Sequence, residues 1–513
     1  MTYPTKFHHR LLILLCLLIA AGSPLCGSVV PNGVFGDHMV LQRDVPIPVW
    51  GKAEPGEKVA VALGNDKAQA VADDRGFWKC QIPPRVASAS PQSMNITGDR
   101  TPAPIVISDI LVGDVWFCSG QSNMTLYLKY LTNFPGVTDD IAKADLPLIR
   151  QGAVERKPSI DPVESRAVYW STCTPENVGR YSAAGFYFAR QLHKHIGIPI
   201  GIILSSFGST SIEEWISRRS LESDPNSKIR MEQQHVDYQK ELILEQASKT
   251  WIGVIKSKIR GWLFKEAPPN PAKILRKTAT AHYKGMIRPL APFPIKGVIW
   301  YQGEEEALVK RASDYRRQLP LLIDDWRALW GQPRLPFIIQ QLPEFKGEGT
   351  EKTEWAELRE AQADVVEKTP GAILVCGLGA GEAEGLHPAN KREIGNRWAS
   401  TVLSRIHGVN LPVSGPVFDS MELQGRTIRI RFRNAKGLAT VDGAPPRGFF
   451  IAGRDRVYVP ARVRIEGETV VLSSEKVPSP VAVRYAFQNA PSGLNLTNDS
   501  GLPAFPFRVD HIP

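Results

Sequence analysis

Cysteine is scarce in this chain and badly spaced for metal. Six occur in 513 residues, at Cys16, Cys26, Cys80, Cys118, Cys173 and Cys376, with no C-x-x-C pair and no histidine at ligand distance. That pattern excludes a zinc ribbon and a disulfide-dense scaffold, although one disulfide after export stays open and sequence cannot pair it. Beyond the first thirty residues there is no apolar run near the roughly 20 residues that cross a bilayer. Gly-x-Ser-x-Gly is absent, which excludes the nucleophile elbow of the α/β-hydrolases. Internal repeats, low-complexity tracts and nucleic-acid fold motifs are missing as well.

The charge that is present is uneven. The net charge is +10, and Lys6 and Arg10 supply two of it ahead of the apolar run Leu11 to Ala21. Gly22, Ser23 and Pro24 follow. A basic start, a short apolar stretch and small residues form a secretory signal, with cleavage near 22–28. The run is too short for an anchor, and Ser23-Pro24-Leu25 before Cys26 makes a poor lipoprotein signal. The mature chain is expected to be secreted or periplasmic, without stable membrane insertion. A second excess lies between 249 and 281. There Lys249, Lys256, Lys258, Arg260, Lys265, Lys273, Arg276 and Lys277 face only Glu266. It reads as a solvated face or lid suited to acidic glycans, rather than a nucleic-acid surface.

The organisation changes twice. After the signal, 1–27, residues 28–108 carry short Val-rich runs such as Lys58 to Leu63 between turns at Asn65-Asp66 and Asp73 to Gly76. This predicts a β-sandwich. From 109 to 408 apolar strands at 110–117, 198–205, 295–302, 335–342 and 372–377 alternate with helical patterns at 183–196, 212–221, 307–330, 354–368 and 388–407. Such alternation predicts an α/β domain with a parallel sheet. A charged, partly helical insertion interrupts it around 222–281. From 409 to 513 the pattern returns to β, with alternation in Thr427 to Phe432 and Arg462 to Glu466.

In a parallel α/β sheet the active site lies at the carboxyl ends of the strands, and four loops qualify. The first, Gly120-Gln121-Ser122-Asn123-Met124, places a serine at a strand-to-helix turn. There it is either a nucleophile with backbone N–H groups at hand for an oxyanion or an ordinary Gly-x-Ser turn. The second, Ser205 to Ser211, holds Gly208, whose unobstructed N–H could face an oxyanion or simply serve a turn. The third reads Tyr301-Gln302-Gly303-Glu304-Glu305-Glu306. The fourth, Glu382 to Pro388, carries His387, a candidate base for Ser122 with Glu384 three residues before it. The alternative for His387 is a capping or buried structural role. Of the other histidines, His8 and His9 leave with the signal, and His193 and His195 sit on a helix surface.

These motifs in this order resemble the sialate O-acetylesterase family of SGNH-type carbohydrate esterases. The similarity runs through Phe35 to Arg43, Gly113 to Met124, Gly208 to Trp215, Met286 to Leu290, Val298 to Glu304, His387 to Lys391, Asn495 to Asn498 and Gly501 to Phe507. The resemblance implies a flavodoxin-like SGNH-hydrolase sheet with accessory β-sandwich modules at both ends. It implies Ser122 as nucleophile, His387 as base and Glu384 as the acid. Gly208 and the Ser122 N–H would form part of the oxyanion hole, with Gln121, Gln302 and Lys284 binding substrate. The substrate implied is an acetylated sugar or glycan, with no metal, organic cofactor or nucleic acid.

Two positions depart from the family pattern. Glu306 stands where the family carries the asparagine that donates to the oxyanion, and an ionised carboxylate cannot donate. Loss of one such donor costs about 10²–10³ in rate. Lys284 stands where asparagine is usual, so a compensating Lys284–Glu306 pair is expected. The acid beside His387 is spaced differently as well: Glu384 lies at −3, where the family often has aspartate at −2, which leaves a Ser–His dyad open. A weakened paralogue acting as a glycan-binding module is the alternative to an esterase.

Overall fold

The computed structural model describes residues 29–250, 269–347, 349 and 352–510. The segment expected to be a secretory signal, with Cys16 and Cys26, and the central part of the basic segment lie outside them. A mixed sheet forms the centre. Its members are β1 (Ile105–Gly120), β2 (Leu146–Val154), β3 (Val168–Cys173), β4 (Ile200–Ser206), β5 (Gly297–Tyr301), β6 (Phe337–Gln340) and β7 (Ala372–Val375). They run in the order β3-β2-β4-β1-β5-β6-β7. All neighbours are parallel except the edge strand β3, antiparallel to β2. β4 to β7 read as largely apolar runs because helices cover both faces. Trp116, Trp300 and Trp326 are fully buried. The Trp300 and Trp326 rings meet edge to face at 5.7 Å, and Trp326 meets Phe117 at 5.6 Å. Each such pair contributes about 0.5–1.5 kcal/mol beyond its buried area.

The helices that matter for function are α1 (Ser122–Thr125), α2 (Ala183–Ile196), α3 (Pro225–Ser248), α4 (Glu304–Leu308), α5 (Ala312–Trp330), α6 (Glu354–Lys368) and α7 (Lys391–Arg405). The chain leaves β1 first toward β2 and β4, and later toward β5, β6 and β7. The sheet order therefore reverses beside β1, and the crevice opens at its carboxyl end. Gly120 at that end is level with Ser206 of β4 on one side and Tyr301 of β5 on the other. Three of the four candidate loops thus start from one row of the sheet.

The boundary expected at 108/109 falls inside a single strand. β1 runs unbroken from Ile105, and its first half pairs with Ser88–Gly98, itself paired to Lys58–Leu63. The N-terminal strands also share one continuous apolar core with the α/β layers. The C-terminal strands, from Val417 on, build a second core around Ile428, Ile451, Val470 and Tyr485. Within the insertion α3 is a long polar helix, and Arg230 on it pairs with Glu213 at 2.7 Å and Asp314 at 2.5 Å. These charges fasten the insertion to the loop that carries Gly208. The four described cysteines are free and buried, so no disulfide joins them, and burial pushes their thiols up.

Candidate active site

The turn after β1 is built around Gly120. Its φ is +137°, and a Cβ there would lie 2.0 Å from the Tyr301 carbonyl oxygen, so only glycine fits. The Gln121 N–H then donates to that same carbonyl at 3.2 Å. Ser122 follows, half-buried, as the first residue of α1. Ser182 secures the turn from beneath. Its Oγ caps α2 by accepting from the Gly185 N–H at 3.2 Å and donates to the Met124 carbonyl at 2.7 Å.

His387 arrives from the far end of the sheet. Nε2 of His387 lies 2.7 Å from Ser122 Oγ. The loop before it leads into α7, whose first turn is capped by Asn390, accepting from the Glu393 N–H. α7 packs so closely on α2 that a Cβ on Gly395 would lie 2.6 Å from the Ala184 carbonyl oxygen. Helix contact thereby carries the histidine to the serine. The surrounding protein, and secondarily the Lys391 charge, hold the imidazole pKa below its ordinary value. A neutral imidazole is the form that accepts a hydroxyl proton.

Gly208 lies against the serine. A Cβ on Gly208 would stand 3.5 Å from Ser122 Cβ, and the Phe207 N–H donates to the Gly120 carbonyl at 3.1 Å. The loop after β4 therefore forms a wall of the site, with its backbone beside the serine. Arg276 from the basic segment sits over the Phe207 ring at 5.5 Å, and Lys277 pairs with Glu305 at 3.0 Å.

Five of the expected residues are placed differently. Glu384 is 76% exposed and pairs with Lys346 at 2.5 Å. It does not reach His387, whose single hydrogen bond among the described residues is the one to Ser122. The Lys284–Glu306 pair does not form, because Lys284 Nζ donates to the Ile160 carbonyl at 2.7 Å. Both oxygens of Glu306 are already occupied: Oε1 accepts from the Ile212 N–H and Oε2 from the Gln302 amide, each at 2.6 Å. Burial pushes the Glu306 carboxyl up to about 7. It is an acceptor that ties the second loop to the third, not an oxyanion donor. Gln302 and Gln121 are both buried. The Gln302 amide donates to Gln121 Oε1 at 3.2 Å and to the Thr210 carbonyl at 2.9 Å. These two side chains brace the loops from below rather than lining an open pocket.

A buried polar group beside Ser122 is not among the expected site residues, although its members fall in the stretches that carry the resemblance. Asn123 Nδ2 donates to Glu304 Oε1 at 2.5 Å and to the Leu386 carbonyl at 3.0 Å, while Lys391 Nζ donates to Asn123 Oδ1 at 2.5 Å. All three side chains are buried. Burial pushes Glu304 up to about 7 and Lys391 down to about 7. The partners stand 181 and 268 positions apart, beyond the reach of any local pattern. Among the described residues no cluster of three or more histidine, cysteine or acidic side chains could hold a metal ion. No described helix is long and apolar enough to cross a membrane.

The fold matches that of a solved carbohydrate acetylesterase. A carbohydrate acetylesterase from Xanthomonas citri has a crystal structure that superposes with a TM-score of 0.80. It is 32% identical, over 94% of this chain and 99% of that one. The family described as "carbohydrate esterase, sialic acid-specific acetylesterase" matches residues 238–404. The sialate O-acetylesterase of Mus musculus is 26% identical over 92% of both chains. That of Homo sapiens is 25% identical over 76% of this chain and 73% of its own length. The chain belongs to the sialate O-acetylesterase family of carbohydrate esterases.

Proposed function

We propose that this protein is an exported O-acetylesterase that removes acetyl groups from sugar hydroxyls through a serine acyl-enzyme. The 2.7 Å approach of His387 Nε2 to Ser122 Oγ carries the reading. A serine hydroxyl is a weak nucleophile until a neighbouring base takes its proton. His387, held neutral by its surroundings, is placed to do so as Oγ adds to the acetyl carbonyl carbon. The developing oxyanion would sit between the backbone N–H groups of Ser122 and Gly208. Collapse breaks the bond to the sugar oxygen, which receives the proton from His387. Water, deprotonated by the same histidine, then attacks the acetyl ester of Ser122 and releases acetate.

The base works as a dyad partner in this reading, since Glu384 is committed to Lys346. The strand order around β1 supports a doubly wound, SGNH-type sheet, with the N- and C-terminal strands as accessory β modules. The named activities of the Xanthomonas, mouse and human relatives support an acetylated sugar as substrate. The pattern of residues 1–27 supports export. The serine–histidine contact favours catalysis over a weakened, glycan-binding paralogue.

Turnover of 4-nitrophenyl acetate by the wild type and by Ser122→Ala tests the proposal. Enzyme-dependent acetate release is expected from the first and not from the second. Equal rates in both would favour the binding module. Rates rising with acyl chain length would favour a lipase or thioesterase.

A further inference from the structure

We propose that Asn123, with Lys391 and Glu304, is the positioning element that sets His387 against Ser122 in place of a triad carboxylate. The inference rests on the reading of Ser122 and His387 as nucleophile and base.

The geometry of one amide carries it. Asn123 follows Ser122 directly, so whatever fixes its side chain fixes the nucleophile turn. Its nitrogen donates to the carbonyl of Leu386, the residue immediately before His387. Its oxygen accepts from Lys391, four residues after His387 and the first of α7. The histidine is thus clasped on both sides of its loop from a point adjacent to the serine. The orientation of the amide follows from its neighbours: a carbonyl oxygen only accepts, and an ammonium only donates. The second N–H goes to Glu304, which opens α4 at the end of β5. One side chain therefore joins the carboxyl ends of β1 and β5 to the loop beyond β7.

The need for such a clasp is visible at His387 itself. Its one hydrogen bond is to Ser122, and among the described residues no carboxylate holds its other nitrogen. The carboxylate of a triad orients the imidazole. Here the ring's place depends on where its loop is held. A displacement of about 1 Å at a reacting group can cost about 10²-fold in rate.

The cluster also sets the field at the base. Lys391 is buried, with its ammonium 5.1 Å from the centre of the Tyr301 ring. Its charge helps hold the His387 pKa down. The other charged groups around the loop are Glu304 on α4, Glu382, whose Oε1 accepts from the Ala389 N–H, and Glu384, paired to Lys346. Lys391 is thus the cation whose removal should let the imidazole bind its proton more tightly.

The test uses the full chain and 4-nitrophenyl acetate, with the variants Lys391→Met, Asn123→Asp and Ser122→Ala. Lys391→Met keeps the stem and removes the donor and the charge. It is expected to lower kcat about 10- to 100-fold with KM within about twofold, and to move the acid limb of kcat/KM to higher pH. Asn123→Asp keeps the shape but turns the two donors into acceptors facing Leu386 and Glu304, and a similar loss of kcat is expected from it. This isostere carries the test if Lys391→Met does not fold. Wild-type kcat and an unmoved acid limb in Lys391→Met, or wild-type kcat in Asn123→Asp, would overturn the inference. Full activity of Ser122→Ala would instead overturn the reading beneath it. Loss in Ser122→Ala beside unaltered Asn123 and Lys391 variants would remove the positioning role alone.

Discussion

His387 Nε2 and Ser122 Oγ lie 2.7 Å apart although 265 positions separate them in the chain. Two glycines permit that meeting. Gly120 lets the β1 backbone turn under Tyr301, and Gly395 lets α7 lie against α2. The consequences can be measured.

The histidine should set the acid limb of activity. Catalysis needs the neutral ring, and the His387 pKa is lowered by its surroundings and by Lys391. Activity should therefore persist as pH falls below the ordinary histidine value of about 6.5, and be lost only under more acidic conditions. The kcat/KM profile checks this. An acid limb lying above that ordinary value would contradict the environment described.

Glu384 should be dispensable. Its carboxylate is exposed and engages Lys346 rather than His387. Glu384→Gln should retain kcat within about twofold, as expected for an exposed ion pair of little energetic weight. A loss approaching the 10⁴-fold effect of removing a triad acid would show that the loop rearranges to form a triad during turnover.

Glu306 should matter to folding as well as to rate. Glu306→Ala strips the acceptor from the buried Ile212 N–H, whereas the Gln302 amide keeps the Gln121 oxygen and the Thr210 carbonyl. Each unpaired donor costs about 1–3 kcal/mol. Denaturant unfolding should show a loss of about 1–3 kcal/mol, with m unchanged. An unaltered midpoint would mean that neither bond contributes.

The two glycines beside the serine should respond differently to a methyl group. Gly120→Ala forces a Cβ into the Tyr301 carbonyl at a positive φ, and should give little folded protein. Gly208→Ala meets Ser122 Cβ at an ordinary contact distance of 3.5 Å, so the protein should fold. Its kcat should fall, because the methyl group crowds the space beside the nucleophile. Soluble yield, melting and kcat separate the two cases. A folded, active Gly120→Ala would contradict the geometry of the turn.

Legibility in the sequence tracked the range of the interactions. Helices expected at 183–196 and 354–368 are found as Ala183–Ile196 and Glu354–Lys368, because an apolar stripe and local end signals define them. The parallel strands were visible as apolar runs, although β2 and β3 were not. Arg150 and Gln151 interrupt the first and Ser171 and Thr172 the second, so neither is an apolar run, and they pair with each other as an antiparallel edge. The length of β1 is hidden in the sequence, because its first half, beginning at Ile105, alternates like a strand of the N-terminal region and only its second half is fully buried. At the site, the four loops were readable from strand ends and residue type. Their mutual bonds were not. Lys284 and Glu306 were natural partners by charge, yet a backbone carbonyl took the lysine, and an N–H and an amide took the carboxylate. Asn123, Glu304 and Lys391 lie in the stretches that carry the resemblance, but nothing local pairs them, since only tertiary packing brings their side chains together.

The central claim is that Ser122 is made nucleophilic by His387. Mass spectrometry after treatment with a fluorophosphonate, which adds covalently to an activated serine, tests it most directly. The expected result is one adduct per chain on the peptide carrying Ser122, with labelling slowed at least about 10²-fold in His387→Ala. An unlabelled Ser122 in the folded wild type, or equal labelling without the histidine, would contradict it.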